Sequence, residues 1–190
     1  MVESRVRVVV VETVRWAIHA GALAGLWWTG VSAAALLACA IGYVSGMMAI
    51  CVAYHRYFAH RTFRTSRAFQ FVLALWGALS LQRGPIWWAS VHRHHHRHTD
   101  TEEDFHSPRR GLWHAHMGWL MSRKIYEVDY GNVRDLSAYP ELRWLDRWYH
   151  LPSLAYIAAL LGLGAGLQTA WPALGTGPAQ MVVWGFLFRT

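Results

Sequence analysis

Two long stretches of the chain contain no Asp, Glu, Lys or Arg. One runs from Trp16 to His55 and the other from Trp148 to Phe188, and each is about 40 residues long. A helix needs roughly 20 apolar residues to cross a bilayer, so the first stretch is long enough for two crossings. The segment WWTG, Trp27–Gly30, is the expected turn between them. Uncharged helices of this length are hard to place in the core of so small a soluble domain.

The pattern therefore predicts an all-α, multi-pass membrane protein in three parts. These parts are a transmembrane hairpin (14–54), a cytosolic region (55–149), and a third crossing with the start of a fourth (150–190). The crossings are expected near Val14–Trp28, Val31–Tyr54, Leu151–Gln168 and Gln180–Thr190. A crossing that stops part-way leaves backbone groups unpaired in hydrocarbon, so we expect the chain to be truncated at its C-terminus.

The distribution of positive charge indicates orientation. The net charge is +7, and 17 of the 18 Lys and Arg residues lie before Trp16 or between Arg56 and Arg147. Two crossings put both segments on one side of the membrane, and an excess of Lys and Arg beside crossings marks the cytoplasmic side. We therefore expect a cytoplasmic N-terminus and a cytoplasmic region 55–149, and no nucleic-acid partner. Cys39 and Cys51 both fall in the second crossing and suggest neither a disulfide framework nor a zinc motif.

A first histidine pair, in the segment HRYFAH, lies where the second crossing leaves the membrane. His55 and His60 are five residues apart, which on an ideal α-helix rotates them by about 140°. They can face one ion only if the helix frays or tightens between them. We expect this irregularity at the membrane boundary.

A second group, in the segment HRHHHRH, resolves into two sides of a helix. At about 100° per residue, His92, His95 and His96 share one face, whereas His94 and His98 point away. Asp100 returns near the same face and is a candidate to accept the ring hydrogen of a ligating histidine. A solvated basic segment is the alternative for such a run, and two separate groups beside membrane elements argue against it.

The five candidate ligands are His55, His60, His92, His95 and His96. Neutral imidazole binds iron, copper, nickel and zinc, so the ligand type leaves the metal open. Five nitrogens exceed what one tetrahedral ion needs. They indicate two ions, or one ion of higher coordination number.

The segments YHRYFAHRTF and HRHHHRHTDTEEDFHSPRRGLWHAHMGWLM resemble the membrane fatty acid desaturases of the acyl-CoA Δ9, stearoyl-CoA desaturase-like type. The resemblance covers roughly Gly42 to Lys124. It implies that the five histidines bind a non-haem di-iron centre. It also implies that Arg123 and Lys124 contact the phosphates of the acyl carrier, and that Trp88 lies near the acyl chain.

The resemblance implies O2-dependent insertion of a cis double bond, at Δ9, into a long saturated acyl chain. Two iron ions, O2 and an electron donor (cytochrome b5, ferredoxin or a reductase) would be required, in the cell membrane of a bacterium or the endoplasmic reticulum of a eukaryote. The third histidine box of the family is absent before Thr190, so the chain alone is expected to be inactive. Ser90 replaces an arginine that holds CoA in animal members, so acyl-CoA, acyl-carrier protein and acyl-lipid stay open as substrates.

Two alternatives use the same features. A membrane hydroxylase or ketolase has similar histidine boxes and a similar oxidant, and differs in leaving oxygen in the product. A metal-binding membrane fragment without catalysis would bind metal without consuming oxygen.

Overall fold

A computed structural model describes residues 2–190, with side-chain positions from residue 8 onward. Within that range the chain forms helices, turns and loops and no β-strand, as the all-α prediction requires. Met1, where the predicted cytoplasmic N-terminus begins, lies outside the described residues. The α-helices are α1 (Val2–Thr29), α2 (Ala33–Met48), α3 (Arg67–Ala78), α4 (Pro85–His98), α5 (Leu112–His116), α6 (Arg134–Ser137), α7 (Pro140–Arg147), α8 (Leu151–Ala170) and α9 (Pro178–Val182).

Three helical segments are long and apolar enough to cross a membrane: Val8–Thr29, Ala33–Ala59 and Leu151–Ala170. They correspond to the first three predicted crossings, and the first begins earlier than expected. The turn between the first two lies at the predicted place. Gly30 adopts φ +64° there, a conformation that glycine tolerates best. The Ser32 side chain then accepts a hydrogen bond from the Ala35 amide at 3.2 Å and caps α2.

The fourth apolar segment starts at α9 and continues as a wider helix, Val183–Phe188. It packs against α1, α2 and α8. At Gly164 on α8, a β-carbon would lie 2.6 Å from Pro178, so the two helices approach as closely as a glycine permits. Leu160, Met181 and Phe186 form a buried apolar cluster at this contact.

A second core joins the membrane-side helices to the region after His55. The ring of Tyr54 is fully buried against α3, where a β-carbon on Gly77 would lie 2.0 Å from it. Helix α4 begins with Pro85, and its first free amides, those of Ile86 and Trp87, donate to the carboxylate of Asp146 on α7 at 3.0 and 2.9 Å. This carboxylate satisfies N–H groups that a helix end leaves unpaired and fixes the start of α4.

Arg93 ties α4 to the end of the second crossing. Its guanidinium donates to the carbonyls of Phe58 and Ala59 at 2.7 and 3.0 Å and to both carboxylate oxygens of Asp135 at 2.8 and 3.0 Å. It also donates to the Asn132 carbonyl at 2.9 Å. One side chain therefore sets the distance between the two helices that carry the histidines.

Candidate metal centre

Helix α2 widens into a π-helix, Ala49–Ala59, just before it ends. In such a helix the hydrogen bonds join residues five apart, and the amide of His60 accordingly donates to the carbonyl of His55 at 3.0 Å. Residues five apart then lie nearly above one another. The ring centroids of His55 and His60 are 4.5 Å apart. The two histidines share a face, as required for one ion, but the helix widens where we expected it to fray or tighten.

The histidine face of α4 meets this pair. Nε2 of His92 lies 3.1 Å from Nε2 of His60 and 3.0 Å from Nε2 of His96. The ring of His55 is 4.7 Å from that of His92, centroid to centroid. Each of the four histidines offers a nitrogen, and these four atoms all lie within 4.8 Å of one another. The structure thus brings these four predicted ligands together in a cluster that could hold one ion, and metal binding by them stays a prediction.

The chemistry of the cluster fits a transition-metal ion. Four imidazole nitrogens converge with no carboxylate among them, a donor set that suits iron, zinc or copper. Burial, followed by the neighbouring imidazole of His55, lowers the pKa of His92 to about 3. Burial and the neighbouring His60 also lower the pKa of His96. Both rings are therefore neutral near pH 7, the form that binds metal.

Acid is expected to destabilise the metal-free protein through His92. Its folded pKa of about 3 lies below the ordinary 6.5, so the unfolded chain takes up the proton first. Stability present above pH 6.5 is lost as the pH falls toward 3. At pH 5 the loss from this residue is at most about 2 kcal/mol, because solvent screens the charge of this half-buried ring. Thermal unfolding in detergent between pH 8 and pH 5 measures it, and His92→Asn, which cannot titrate, should show a shallower dependence. Equal slopes would contradict the assignment.

His95 lies apart from the four-histidine cluster. It belongs to a second group, with Asp104 and His106, whose ligand atoms are also within 4.8 Å of one another. Nδ1 of His95 is 2.9 Å from the Asp104 carboxylate, and its ring stacks on that of His106 at 4.0 Å. The helical-face argument brought His92, His95 and His96 together. The structure divides them between two neighbouring groups, as two ions would require.

Asp104 is the carboxylate that contacts the ring of His95. Its side chain is fully buried and also accepts from the amides of Asp100 and His106, each at 3.1 Å. A carboxylate bonded to Nδ1 leaves Nε2 of the same ring directed toward a metal. The sequence argument assigned this role to Asp100, which contributes its backbone N–H. Asp104 and His106 follow the end of α4, so no helical projection could place them.

The Asp104→Asn variant is expected to weaken metal binding on the His95 side by about 10- to 100-fold, the usual effect of losing the carboxylate behind a histidine ligand. Iron or cobalt titration of the purified protein gives the affinity. Glu103→Gln provides a control, because its exposed carboxylate contacts His98, on the outward side of α4. If Asp104→Asn binds metal as tightly as the wild type, Asp104 does not support a metal ligand.

The outward histidines hold the loop that follows α4. Nε2 of His94 lies 2.9 Å from the Glu103 carbonyl, and its ring stacks on Phe105 with centroids 4.3 Å apart. Nδ1 of His98 lies 2.6 Å from the Glu103 carboxylate. These side chains point away from the cluster, as the helical projection predicts, and contact Glu103 and Phe105 on the outer side of the loop.

A cavity of about 760 Å³ adjoins the cluster, and His92 and His106 line it. Trp88 also lines it and stacks on His92, with ring centroids 4.7 Å apart. Arg123 and Lys124 are exposed on a short 3₁₀ turn, immediately before two residues of the cavity wall. Most of the wall is apolar or aromatic, and includes Val10, Val14, Ile18, Leu81, Trp87, Val91, Leu120 and Ile125.

Comparison with known proteins decides the family. The model of the family described as "Fatty acid desaturase" matches residues 26–190. The chain belongs to this family. The family resemblance inferred from the two histidine segments is thus confirmed. The four-histidine cluster lies within those segments.

Three curated relatives illustrate the range of the similarity. The chain is 35% identical over 159 residues to "sn-2 palmitoyl-lipid 9-desaturase" of Nostoc sp. (strain 36), which covers 81% of the chain and 54% of the relative. It is 35% identical over 135 residues to "Icosanoyl-CoA 5-desaturase" of Limnanthes douglasii (69% and 38%). It is 32% identical over 178 residues to "sn-1 stearoyl-lipid 9-desaturase" of Anabaena variabilis (90% and 59%). The chain spans about half the length of these relatives.

Proposed function

We propose that the chain is the part of a membrane desaturase that supplies the first two histidine groups. The reaction proposed is O2-dependent insertion of a cis double bond, at Δ9, into a long saturated acyl chain. The observation that carries the proposal is the four-histidine cluster at the end of an apolar helix, beside a cavity with mainly apolar walls. Removal of hydrogen from an unactivated methylene needs a stronger oxidant than any side chain, and two iron ions with O2 would supply it.

His55, His60, His92 and His96 would hold one iron, and His95, oriented by Asp104, would contribute to the second. The neutral state of His92 and His96 leaves their nitrogens free for metal. The rigid connection through Arg93 keeps the two histidine-bearing helices at a fixed separation. Trp88, stacked on His92, covers one side of the cluster and gives the acyl chain an apolar surface.

The substrate is proposed to be a long-chain acyl-CoA or acyl-lipid. The relatives act, by their names, on acyl groups of both kinds and at positions 5 or 9. Δ9 is favoured for this chain because the Nostoc and Anabaena matches cover most of it. Arg123 and Lys124, exposed beside the cavity wall, are proposed to contact phosphate of the carrier.

The proposed topology places the histidine groups and the N-terminus on the cytoplasmic side. The basic residues flank the apolar helices on the side of the histidine groups, which supports this orientation. The membrane would be the cell membrane in a bacterium or the endoplasmic reticulum in a eukaryote. Because desaturation consumes two electrons for each O2 reduced to water, a donor such as cytochrome b5, ferredoxin or a reductase would dock on this side.

Product analysis tests the function. The complete gene, expressed in a host that makes no unsaturated acyl chains, with iron and a compatible reductant, is expected to yield cis-monounsaturated chains. Gas chromatography with mass spectrometry locates the double bond. A hydroxylated product would show that the protein is a hydroxylase and not a desaturase. Metal binding without oxygen consumption or a new product would reject both reactions.

A further inference from the structure

The wall of the cavity beside the histidine cluster contains basic side chains and, where side chains are described, no Asp or Glu. Among the residues whose side chains are described, its wall contains Arg15, Arg83 and five histidines, but neither Asp nor Glu. Arg15 is neutralised by Glu12 on the same helix, at 3.2 Å. Arg83 has no carboxylate oxygen within 4.0 Å in the part of the chain with described side chains. Asp146, which already accepts hydrogen bonds from the amides of Ile86 and Trp87, attracts Arg83 from beyond ion-pair distance. Among the described side chains, the Arg83 guanidinium is therefore a permanent charge of the cavity wall without a direct ion-pair partner.

Aromatic rings hold the Arg83 guanidinium in place. It lies 3.9 Å from the ring centroid of Tyr126 and 4.6 Å from that of Trp87. Both rings belong to the cavity wall. Arg83 also forms a side-chain hydrogen bond with Tyr126, and a guanidinium has five N–H donors, so others can reach an oxygen ligand in its plane. Burial lowers the pKa of Arg83, but the group remains charged at cytosolic pH because its ordinary value is so high.

The backbone of Arg83 is strained. It adopts φ +66°, the left-handed region in which a side chain is unfavourable. It is followed by Gly84, where a β-carbon would lie 2.3 Å from the carboxylate of Asp146, so the tight approach to α7 fixes this turn. A glycine at position 83 would relieve the strain. Strained residues persist where their side chain has a role, and here the side chain enters the cavity.

We propose that Arg83 binds the anionic head group, a carboxylate or a phosphate, of an acyl amphiphile whose chain occupies the apolar part of the cavity. A paired oxygen anion matches the fork of the guanidinium. A neutral head group would leave the guanidinium charge without a counter-ion in a largely apolar cavity, which costs free energy. An anionic head group is therefore favoured over a neutral one. The inference that the ligand is an acyl lipid rests on the proposed function. Binding of the head group by Arg83 does not require catalytic turnover.

Ligand binding to the metal-free protein tests this proposal separately from catalysis. The probes are palmitate, 1-palmitoyl lysophosphatidic acid and neutral 1-monopalmitin, titrated calorimetrically into the full chain in detergent, with inorganic phosphate as a fourth arm. In Arg83→Gly we expect affinity for one or both charged lipids to fall at least tenfold, with monopalmitin unchanged. The charged lipid that is affected identifies the head group. Weak binding of phosphate alone, lost in the variant, would show that the head group binds without the chain.

Two controls keep the result interpretable. Arg83→Gly removes backbone strain, so its melting temperature should not fall, and Arg83→Lys should retain part of the affinity for charged lipids. Arg143→Ala, which removes an exposed arginine on α7, should bind all probes as wild type does. Unchanged binding of charged lipids by Arg83→Gly would overturn the proposal, as would equal loss of charged and neutral lipids. If product analysis finds no unsaturated chains but the lipid titrations show the expected loss in Arg83→Gly, the desaturase function is rejected and the assignment of Arg83 stands.

Discussion

The His92→Ala variant is expected to lose most of the affinity for the metal ion that we propose for the four-histidine cluster. His92 lies between the other ligands, with its Nε2 atom 3.1 Å from that of His60 and 3.0 Å from that of His96. Losing a carboxylate behind a ligand already costs about 10- to 100-fold in affinity, so losing this ligand should cost roughly a hundredfold or more. Iron content after anaerobic loading and the visible spectrum of the cobalt-substituted protein measure the loss.

His98→Ala is the matched control, because it removes an imidazole from the outward side of the same helix. It should retain the metal content and cobalt spectrum of the wild type. Membrane insertion and the melting temperature of both variants show whether the fold survives. Full metal content in His92→Ala would exclude His92 as a ligand, and equal loss in both variants would favour non-specific binding by the histidine-rich segment.

The Arg93→Ala variant is expected to unfold more easily by about 2–3 kcal/mol, because partly buried backbone carbonyls lose a charged hydrogen-bond donor. The side chain is only 14% exposed, and its partner Asp135 is 27% exposed. Its loss leaves the carbonyls of Phe58 and Ala59 without this donor, whereas Asp135 keeps its ion pair with Arg61 at 2.6 Å. Because those carbonyls immediately precede His60, metal affinity should fall as well. Tryptophan fluorescence during thermal or denaturant unfolding in detergent gives the stability.

Arg97, one turn further along α4, offers the comparison. It is 54% exposed and lies 3.9 Å from Asp129, so Arg97→Ala should cost at most about 1 kcal/mol. Arg93→Lys keeps the charge without the planar fork and should fall between the two. If Arg93→Ala and Arg97→Ala prove equally stable, the connection through Arg93 does not hold the two helices.

The apolar helices could be predicted from the sequence because membrane crossing depends on length and the absence of charge. The uncharged stretch from Trp16 to His55 required two helices, and the turn at Gly30 lies where WWTG indicated. The extent of α1 was underestimated. Glu12 and Arg15 interrupt the apolar run, but they pair with each other and leave the helix intact. Charge is a poor guide to helix ends when the charges neutralise one another.

The candidate site was predictable where one helix carries the residues. The ideal-helix projection placed His92 and His96 on one side of α4 and His94 and His98 on the other, in agreement with the structure. It could not separate His95, since the partner of that ring is Asp104, in a loop folded back by tertiary contacts. The projection also could not tell whether the helix that carries His55 and His60 tightens or widens into a π-helix. That choice depends on packing around Tyr54 and Phe58, both fully buried.

The π-helix makes the site sensitive to chain length within Ala49–Ala59. Deleting one residue between His55 and His60 would make the spacing four, which an α-helix accommodates without widening. The two rings could still face one ion, but every residue before the deletion would rotate by about 100° relative to His60. The apolar helix below would then present a different side to its neighbours. The extra residue in this turn therefore couples the rotation of an apolar helix about its axis to the position of His60, a proposed metal ligand.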